Sequence, residues 1–285
     1  MAYTAEISRL NPSCFLFLID QSTSMDGPFG ESAGKRKADG VADAINRLLQ
    51  NLVVKCTKAE GVRNYYDVGV IGYSQPNEHD TNVGPAFAGA LAGKEFVPVS
   101  EVANNPARIE ERTRKVEDGA GGLVDQTFKF PVWFDPITNG GTPMCEALRF
   151  ACRVLEGWVN AHPSSYPPMV INITDGESTD EGDPLQEGER VKTLATNDGN
   201  VLLFNCHISS HVGSPIVFPD TKAGLPDKFA ELLFEMSSVL PQGLLAAAQS
   251  EGYVAGAEAR GFAFNADLVD LIRFLDIGTR ASNLR

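Results

Sequence analysis

The chain has no apolar run of the roughly 18 residues that a membrane-spanning helix needs. Its longest early candidate, Cys14 to Ile19, has the length of a strand. The opening MAYTAEISRLNPS lacks a basic region followed by an apolar stretch, so no secretory leader is expected. Basic residues are in short supply: 24 Lys and Arg stand against 37 Asp and Glu, a formal net charge of -13. That balance argues against nucleic-acid binding, which rests on cationic side chains neutralising phosphates, and against anionic membrane surfaces. It suits solubility, and equally the attraction of cations or basic partner surfaces. The five cysteines (Cys14, Cys56, Cys145, Cys152, Cys206) are odd in number and scattered, with no CxxC pair. They read as reduced core residues of a cytoplasmic protein. Phosphate-binding loops are missing too. Gly89 to Lys94 has the wrong spacing and runs into Glu95, and the Gly119–Gly122 cluster lacks the third glycine of a dinucleotide fingerprint.

What is present is an ordinary folded composition, 43% hydrophobic and 21% charged over 285 residues. At that length roughly three-quarters of the surface is buried on folding, enough for one domain spanning 1–285. Cys14–Asp20 (CFLFLID) and Met169–Thr174 (MVINIT) are continuous apolar runs, the pattern of strands covered on both faces. Tyr65–Tyr73 and Val201–Ile208 read as further strands, and Gly261–Phe264 as a short one. Apolar residues recur at helical spacing over Ala38–Val54 and Pro143–Val159. Helices are also expected over Glu187–Thr196, Asp227–Leu240 and Ala266–Ile277. Alternating strands and helices imply an α/β fold: a Rossmann-like, doubly wound, mostly parallel central sheet with helices on both faces. Such sheets bind ligands beyond the carboxyl ends of their strands, where Asp20, Ser74 and Asp175 fall.

Two stretches interrupt the alternation. Gln75–Thr138 is too long for a plain connection. Within it Lys94–Val99 is strand-like, Asn105-Pro106 is expected to open a charged helix, and Leu123–Phe134 is extended, the whole forming an elaborated sheet edge. Ser209–Leu225 reads as a loop.

Beyond the first strand comes Asp20-Gln21-Ser22-Thr23-Ser24, where side chains can converge on the crevice. An acid and two hydroxyls form a hard, all-oxygen set suited to Mg²⁺, Mn²⁺ or Ca²⁺ rather than zinc. The competing reading is helix capping by Ser22, Ser24 and Asp26. Asp175-Gly176 ends a second buried strand, and the glycine-rich turn Asn139–Met144 presents Thr142 at a helix start, where capping again competes.

Taken together, these segments resemble the von Willebrand factor A (VWA) family and its metal-ion-dependent adhesion site (MIDAS). That site joins a DxSxS motif after the first strand, a Thr in a later loop and an Asp after the fourth strand. Those positions fall here on Asp20, Ser22 and Ser24, on Thr142, and on Asp175; Met25 and Gly176 fit the pattern as well. The resemblance covers Cys14–Tyr73 and Gly140–Ile277. It implies that Ser22, Ser24 and Thr142 supply oxygens to a metal, Mg²⁺ first, with Thr142 acting through water. Asp20 and Asp175 anchor the hydroxyls and coordinated waters from behind. The metal keeps an open position for a carboxylate offered by a partner protein. Bacterial members often work beside kinases, phosphatases or AAA+ ATPases, so a signalling or stress-complex role is implied. The insertion at 75–138 departs from a minimal member, and its position points to a role in partner choice.

The alternative is a metal-dependent hydrolase or phosphotransferase built on Asp20. It needs a base or phosphate-binding lysine near the strand ends, and no Lys lies between Ser13 and Gly34 or between Met144 and Glu189. An RNA-binding relative of the Ro type is opposed by the acidic charge. His207 and His211 form HxxxH, but Gly213 and Pro215 deny it helical geometry, which leaves rim contacts; His79 and His162 read as surface residues. The acidic run Asp180, Glu181, Asp183 reads as a solvated helix start, and Phe128, Phe130, Trp133 and Phe134 as strand packing.

Overall fold

The run SCFLFLID forms strand β1 (Ser13–Asp20), buried at every position. Its side chains alternate between two cores. Phe15, Phe17 and Ile19 meet helix α1 (Lys37–Cys56), whereas Cys14, Leu16 and Leu18 meet helix α3 (Met144–Ala161). A strand covered on both faces has no place for a polar residue until it leaves the sheet, which is why the run ends at Asp20. The computed structural model describes residues 3–29, 34–117, 122–208, 214–266 and 268–278.

Besides two small two-residue hairpins, the other strands are β2 (Tyr66–Ser74), β3 (Asn82–Pro85), β4 (Val97–Pro98), β5 (Arg108–Glu117), β6 (Leu123–Val132), β7 (Met169–Thr174), β8 (Leu202–His207), β9 (Ile216–Val217) and β10 (Phe262–Phe264). The eight-stranded sheet runs β9-β10-β8-β7-β1-β2-β3, with β4 also on β2. Its five central strands are parallel, while β3, β4 and β9 are antiparallel additions at the edges. From β1 the chain steps to β2 on one side and later returns to β7 on the other. The β1/β7 boundary is therefore the topological switch point, where open α/β sheets form a crevice. One face carries α1, α6 (Gln242–Ser250) and α7 (Leu268–Gly278), and the other α3, α4 (Pro184–Thr193) and α5 (Lys228–Met236). The doubly wound α/β architecture is thus as the sequence implies. No helix among the described residues is long and apolar enough to cross a membrane.

Several elements differ from expectation. The helix foreseen after Asn105-Pro106 is strand β5, paired antiparallel with β6 from Arg108↔Val132 to Glu117↔Leu123. The Pro signal and the run of charges favour a helix locally. A ten-residue ladder with β6 satisfies both backbones instead, with Lys115 paired to Asp125 at 2.7 Å. This ribbon stands apart from the main sheet. It is tied to α1 by Arg112, 2.7 Å from Asp43 and stacked 3.8 Å over Phe130. The strand-like Lys94–Val99 shrinks to β4, followed by helix α2 (Val99–Asn104). Helix α4 starts earlier than foreseen because Asp183 caps it, accepting from the Leu185 amide at 3.0 Å, with Pro184 at the first helical position. Ala195–Thr196 pairs with Gly199–Asn200 instead of extending the helix.

Helix α5 stops at Met236, since the Ser238 amide bonds the Leu203 carbonyl at 2.7 Å and the Leu240 amide that of Ala259 at 2.8 Å. Helix α6 then follows, unforeseen. Phe130, Trp133 and Phe134 pack in the core, as their strand pattern implies. The 209–225 loop contains β9. Residues 209–213, including His211, and 119–121 of the glycine cluster lie outside the described residues. All five cysteines are free thiols.

Candidate metal centre

Asp20, Ser22 and Thr142 are 1%, 1% and 3% exposed, and they meet at the switch point. Backbone bonds lock their loops together. The Gln21 amide bonds Tyr73 O at 2.9 Å, the Asn139 amide Gln21 O at 2.7 Å, and the Thr23 amide Gly140 O at 2.8 Å. Gln75 and Gly141 exchange amide and carbonyl at 3.0 and 2.8 Å. Gly140 sits at φ +69°, and a Cβ there would lie 1.8 Å from the Gln75 carbonyl oxygen, so glycine is required. Upstream, Asn46 of α1 accepts from the Trp133 amide at 2.8 Å and donates to the Phe134 carbonyl at 2.8 Å. The chain leaving the ribbon is thereby pinned before it enters the Thr142 loop.

The carboxylates are held by short hydrogen bonds. Asp20 Oδ1 accepts from the Ser22 amide at 2.8 Å, and Oδ2 from the Thr174 hydroxyl at 2.6 Å. Ser24 Oγ donates to Asp175 Oδ1 at 2.6 Å and lies 2.9 Å from Ser22 Oγ. A hydroxyl has one proton, so Ser22 is the donor to Ser24. Burial raises the Asp20 carboxyl to about 6; the hydrogen bonds from Ser22 and Thr174 oppose the rise and the charge of Asp175 adds to it. Beneath, the Tyr73 hydroxyl donates to Asn172 at 2.8 Å, and Asn172 donates to Asn205 at 3.0 Å. This buried polar row supports the floor of the site on the α3 side.

Capping does not account for the hydroxyls. Ser22 precedes the short 3-10 turn Thr23–Asp26 without a side-chain cap bond. The start of α3 is capped by Asp180, which accepts from the Cys145 and Glu146 amides at 3.2 and 2.8 Å. Asp180 thus has a structural role that its place in a charge run conceals. The Thr142 amide is held by Thr179 Oγ1 at 2.8 Å, and Thr179 in turn donates to Gln75 Oε1 at 3.3 Å.

All five residues singled out in the sequence are brought together. A Cβ built at Gly176 would lie 3.5 Å from both Ser24 Oγ and Thr142 Oγ1. The two hydroxyls, from distant parts of the chain, therefore both lie within van der Waals reach of any side chain at position 176. Three hydroxyls and two carboxylates fit a hard divalent cation, in particular one that keeps much of its own water. Among the described residues no three His, Cys, Asp or Glu side chains cluster, so an ion here would depend on hydroxyl ligands. His207 is buried at the end of β8, stacked on Phe264 at 4.9 Å, in a packing role rather than at the rim.

One charged neighbour was not foreseen. Lys37, the first residue of α1, places Nζ 2.7 Å from Asp175 Oδ2, with the two side chains 8% and 1% exposed. The expectation of no lysine near the strand ends is therefore overturned. Lys37 lies just past the sequence window in which a lysine was sought, and the fold of α1 back onto β7 brings it in. Thr174 and Thr179 were likewise missed, since an isolated threonine at a strand end carries no distinctive signal.

No protein-family model matches the sequence, and no curated protein matches it. Solved structures similar to the chain include proximal thread matrix protein 1 from the mussel byssus, in a form with a zinc-occupied MIDAS motif. It shows 16% identity and a TM-score of 0.43 over 83% of this chain and 43% of that one. The manganese-loaded TRAP protein of Plasmodium vivax shows 14% identity and a TM-score of 0.41 over 96% of this chain and 76% of that one. The vWF domain of the type V pili tip protein Mfa5 from Porphyromonas gingivalis shows 15% identity and a TM-score of 0.29 over 59% and 39%. The chain spans less than half the length of the mussel protein.

Proposed function

We propose that the chain is a metal-dependent protein-binding module of the VWA type, with Asp20, Ser22, Ser24, Thr142 and Asp175 as its metal site and Mg²⁺ or Mn²⁺ as the ion. The observation that carries this reading is that the Ser24 and Thr142 hydroxyls, from distant parts of the chain, meet beside Gly176, while Asp180 does the capping that would otherwise explain Thr142. Ser22, Ser24 and Thr142 offer neutral oxygens to the ion. Asp175 orients the Ser24 hydroxyl, and Asp20 holds the Ser22 backbone and the Thr174 hydroxyl, through the short bonds already described. With few carboxylates in contact, the site stays electron-poor. A bound divalent ion there supplies a coordination position for an acidic side chain of a partner protein.

The overall charge of -13 gives such a site a purpose. Two acidic proteins repel at close range, and a local cation converts the contact point into an attraction. The ribbon β5–β6, tied to α1 through Arg112 and Asp43, is the element we assign to partner choice. Kinases, phosphatases and AAA+ ATPases in signalling or stress complexes are the partners to examine first. A hydrolase or phosphotransferase gains no support. Lys37 is engaged with Asp175, and burial raises the thiol pKa of Cys145, against its use as a nucleophile.

Titration calorimetry with Mg²⁺ and Mn²⁺ tests the site. Binding is expected for the wild type, and its loss in Asp20→Ala and Ser22→Ala. Identical responses in wild type and variants refute the assignment. A pull-down with and without EDTA tests the interaction: partners that stay bound in EDTA, or turnover of a phosphoester, count against it.

A further inference from the structure

A lysine in the first turn of a helix stands against the helix dipole, which favours anions there. Helix α1 therefore gives no reason for Lys37, and the reason must come from elsewhere in the fold. The Lys37 amide bonds Gly27 O at 2.9 Å, and the Gly27 amide bonds Ser24 O at 3.1 Å, so the lysine backbone is fixed to the loop that carries the Ser hydroxyls. A Cβ at Gly27 would lie 3.7 Å from Nζ, which shows how closely that loop covers the ammonium. Both Asp175 oxygens are engaged, one by Ser24 at 2.6 Å and one by Lys37 at 2.7 Å. The pair is removed from water, where salt screens charges little.

We infer that Lys37 is a resident counter-cation of the site, which competes with the divalent ion for the charge of Asp175 and sets the site's affinity for that ion low. The inference rests on the metal-site reading given above. An incoming ion meets a carboxylate already neutralised and an ammonium that repels it. Binding of the ion alone is then weak, and a partner carboxylate that supplies the missing negative charge strengthens it. By linkage the ion strengthens partner binding by the same factor. Metal occupancy and partner occupancy thus rise together.

The test is calorimetric titration of the full chain with Mn²⁺ and Mg²⁺, comparing wild type with Lys37→Met and Lys37→Arg. Lys37→Met, similar in length and uncharged, is expected to bind at least tenfold tighter. Its melting temperature should be lower without metal and rise further on adding metal than that of the wild type. Lys37→Arg, which keeps the charge, is expected to stay within about threefold of wild type. If Lys37→Met does not remain folded without metal, it is refolded with Mn²⁺ and titrated with EDTA, and the same tightening is expected. Equal or weaker binding by Lys37→Met overturns the role of Lys37 and leaves the metal site standing. Absence of binding by wild type and both variants overturns the metal-site reading itself.

Discussion

Asp20 makes the folded chain, without metal, less stable as the pH rises. Its carboxyl titrates near 6 in the fold, chiefly because of burial, against about 3.8 for the free side chain. The folded state therefore holds the proton more tightly than the unfolded state between those values. A group with a raised acid pKa contributes stability that is fully present below the unfolded value and lost as pH climbs to the folded one. The separation is about two units at ~1.4 kcal/mol each, or about 3 kcal/mol in all. Asp20→Asn removes the titration and keeps the shape, with a pH-independent offset for the hydrogen bond it gives up. Other carboxylates titrate in both proteins and cancel. Urea unfolding in EDTA, from pH 4 to 8, is expected to show the variant gaining on the wild type by about 2 kcal/mol between pH 4 and 6 and levelling off above about pH 7. A difference that stays flat from pH 4 to 7 refutes a buried, weakly compensated Asp20. Added Mn²⁺ should shrink the gain, since a cation stabilises the ionised form.

Two further changes probe the framework of the site. Gly140→Ala forces a positive φ on a residue with a Cβ and drives that atom into the Gln75 carbonyl; a loss of at least ~1–3 kcal/mol is expected in urea unfolding. Unchanged stability there excludes the described loop pairing. Asp180→Ala removes the acceptor for two amides at the start of α3 and should cost ~1–2 kcal/mol by thermal melting, with metal affinity changed little, because Asp180 is not among the oxygens over Gly176.

Much of the fold was legible because burial on two faces leaves an unmistakable trace. The runs Cys14–Ile19 and Met169–Ile173 admit no polar residue outside Asn172, and that exception is satisfied by Tyr73 and Asn205. The five residues proposed for the site stood out because each lies where such a run ends or a glycine turn opens. Whether Thr142 caps α3 was not legible, since a threonine before proline suits that purpose. The cap is Asp180, which reaches the start of α3 from beyond β7. The ribbon was hidden because Arg108–Glu117 has a composition that suits a helix. Its ladder partner lies across a glycine cluster, and backbone pairing outweighed local preference.

The sequence by itself determined the alternation of buried strands and amphipathic helices, and hence which strand ends face a common crevice. Those features depend on side-chain periodicity, which is local and repeats along the chain. Tertiary structure alone decided the ionic state of that crevice. Lys37 and Asp175 are 138 positions apart, and each is unremarkable in its own segment. Only the packing of α1 over the β1/β7 boundary removes them together from water and sets one ammonium 2.7 Å from a carboxylate.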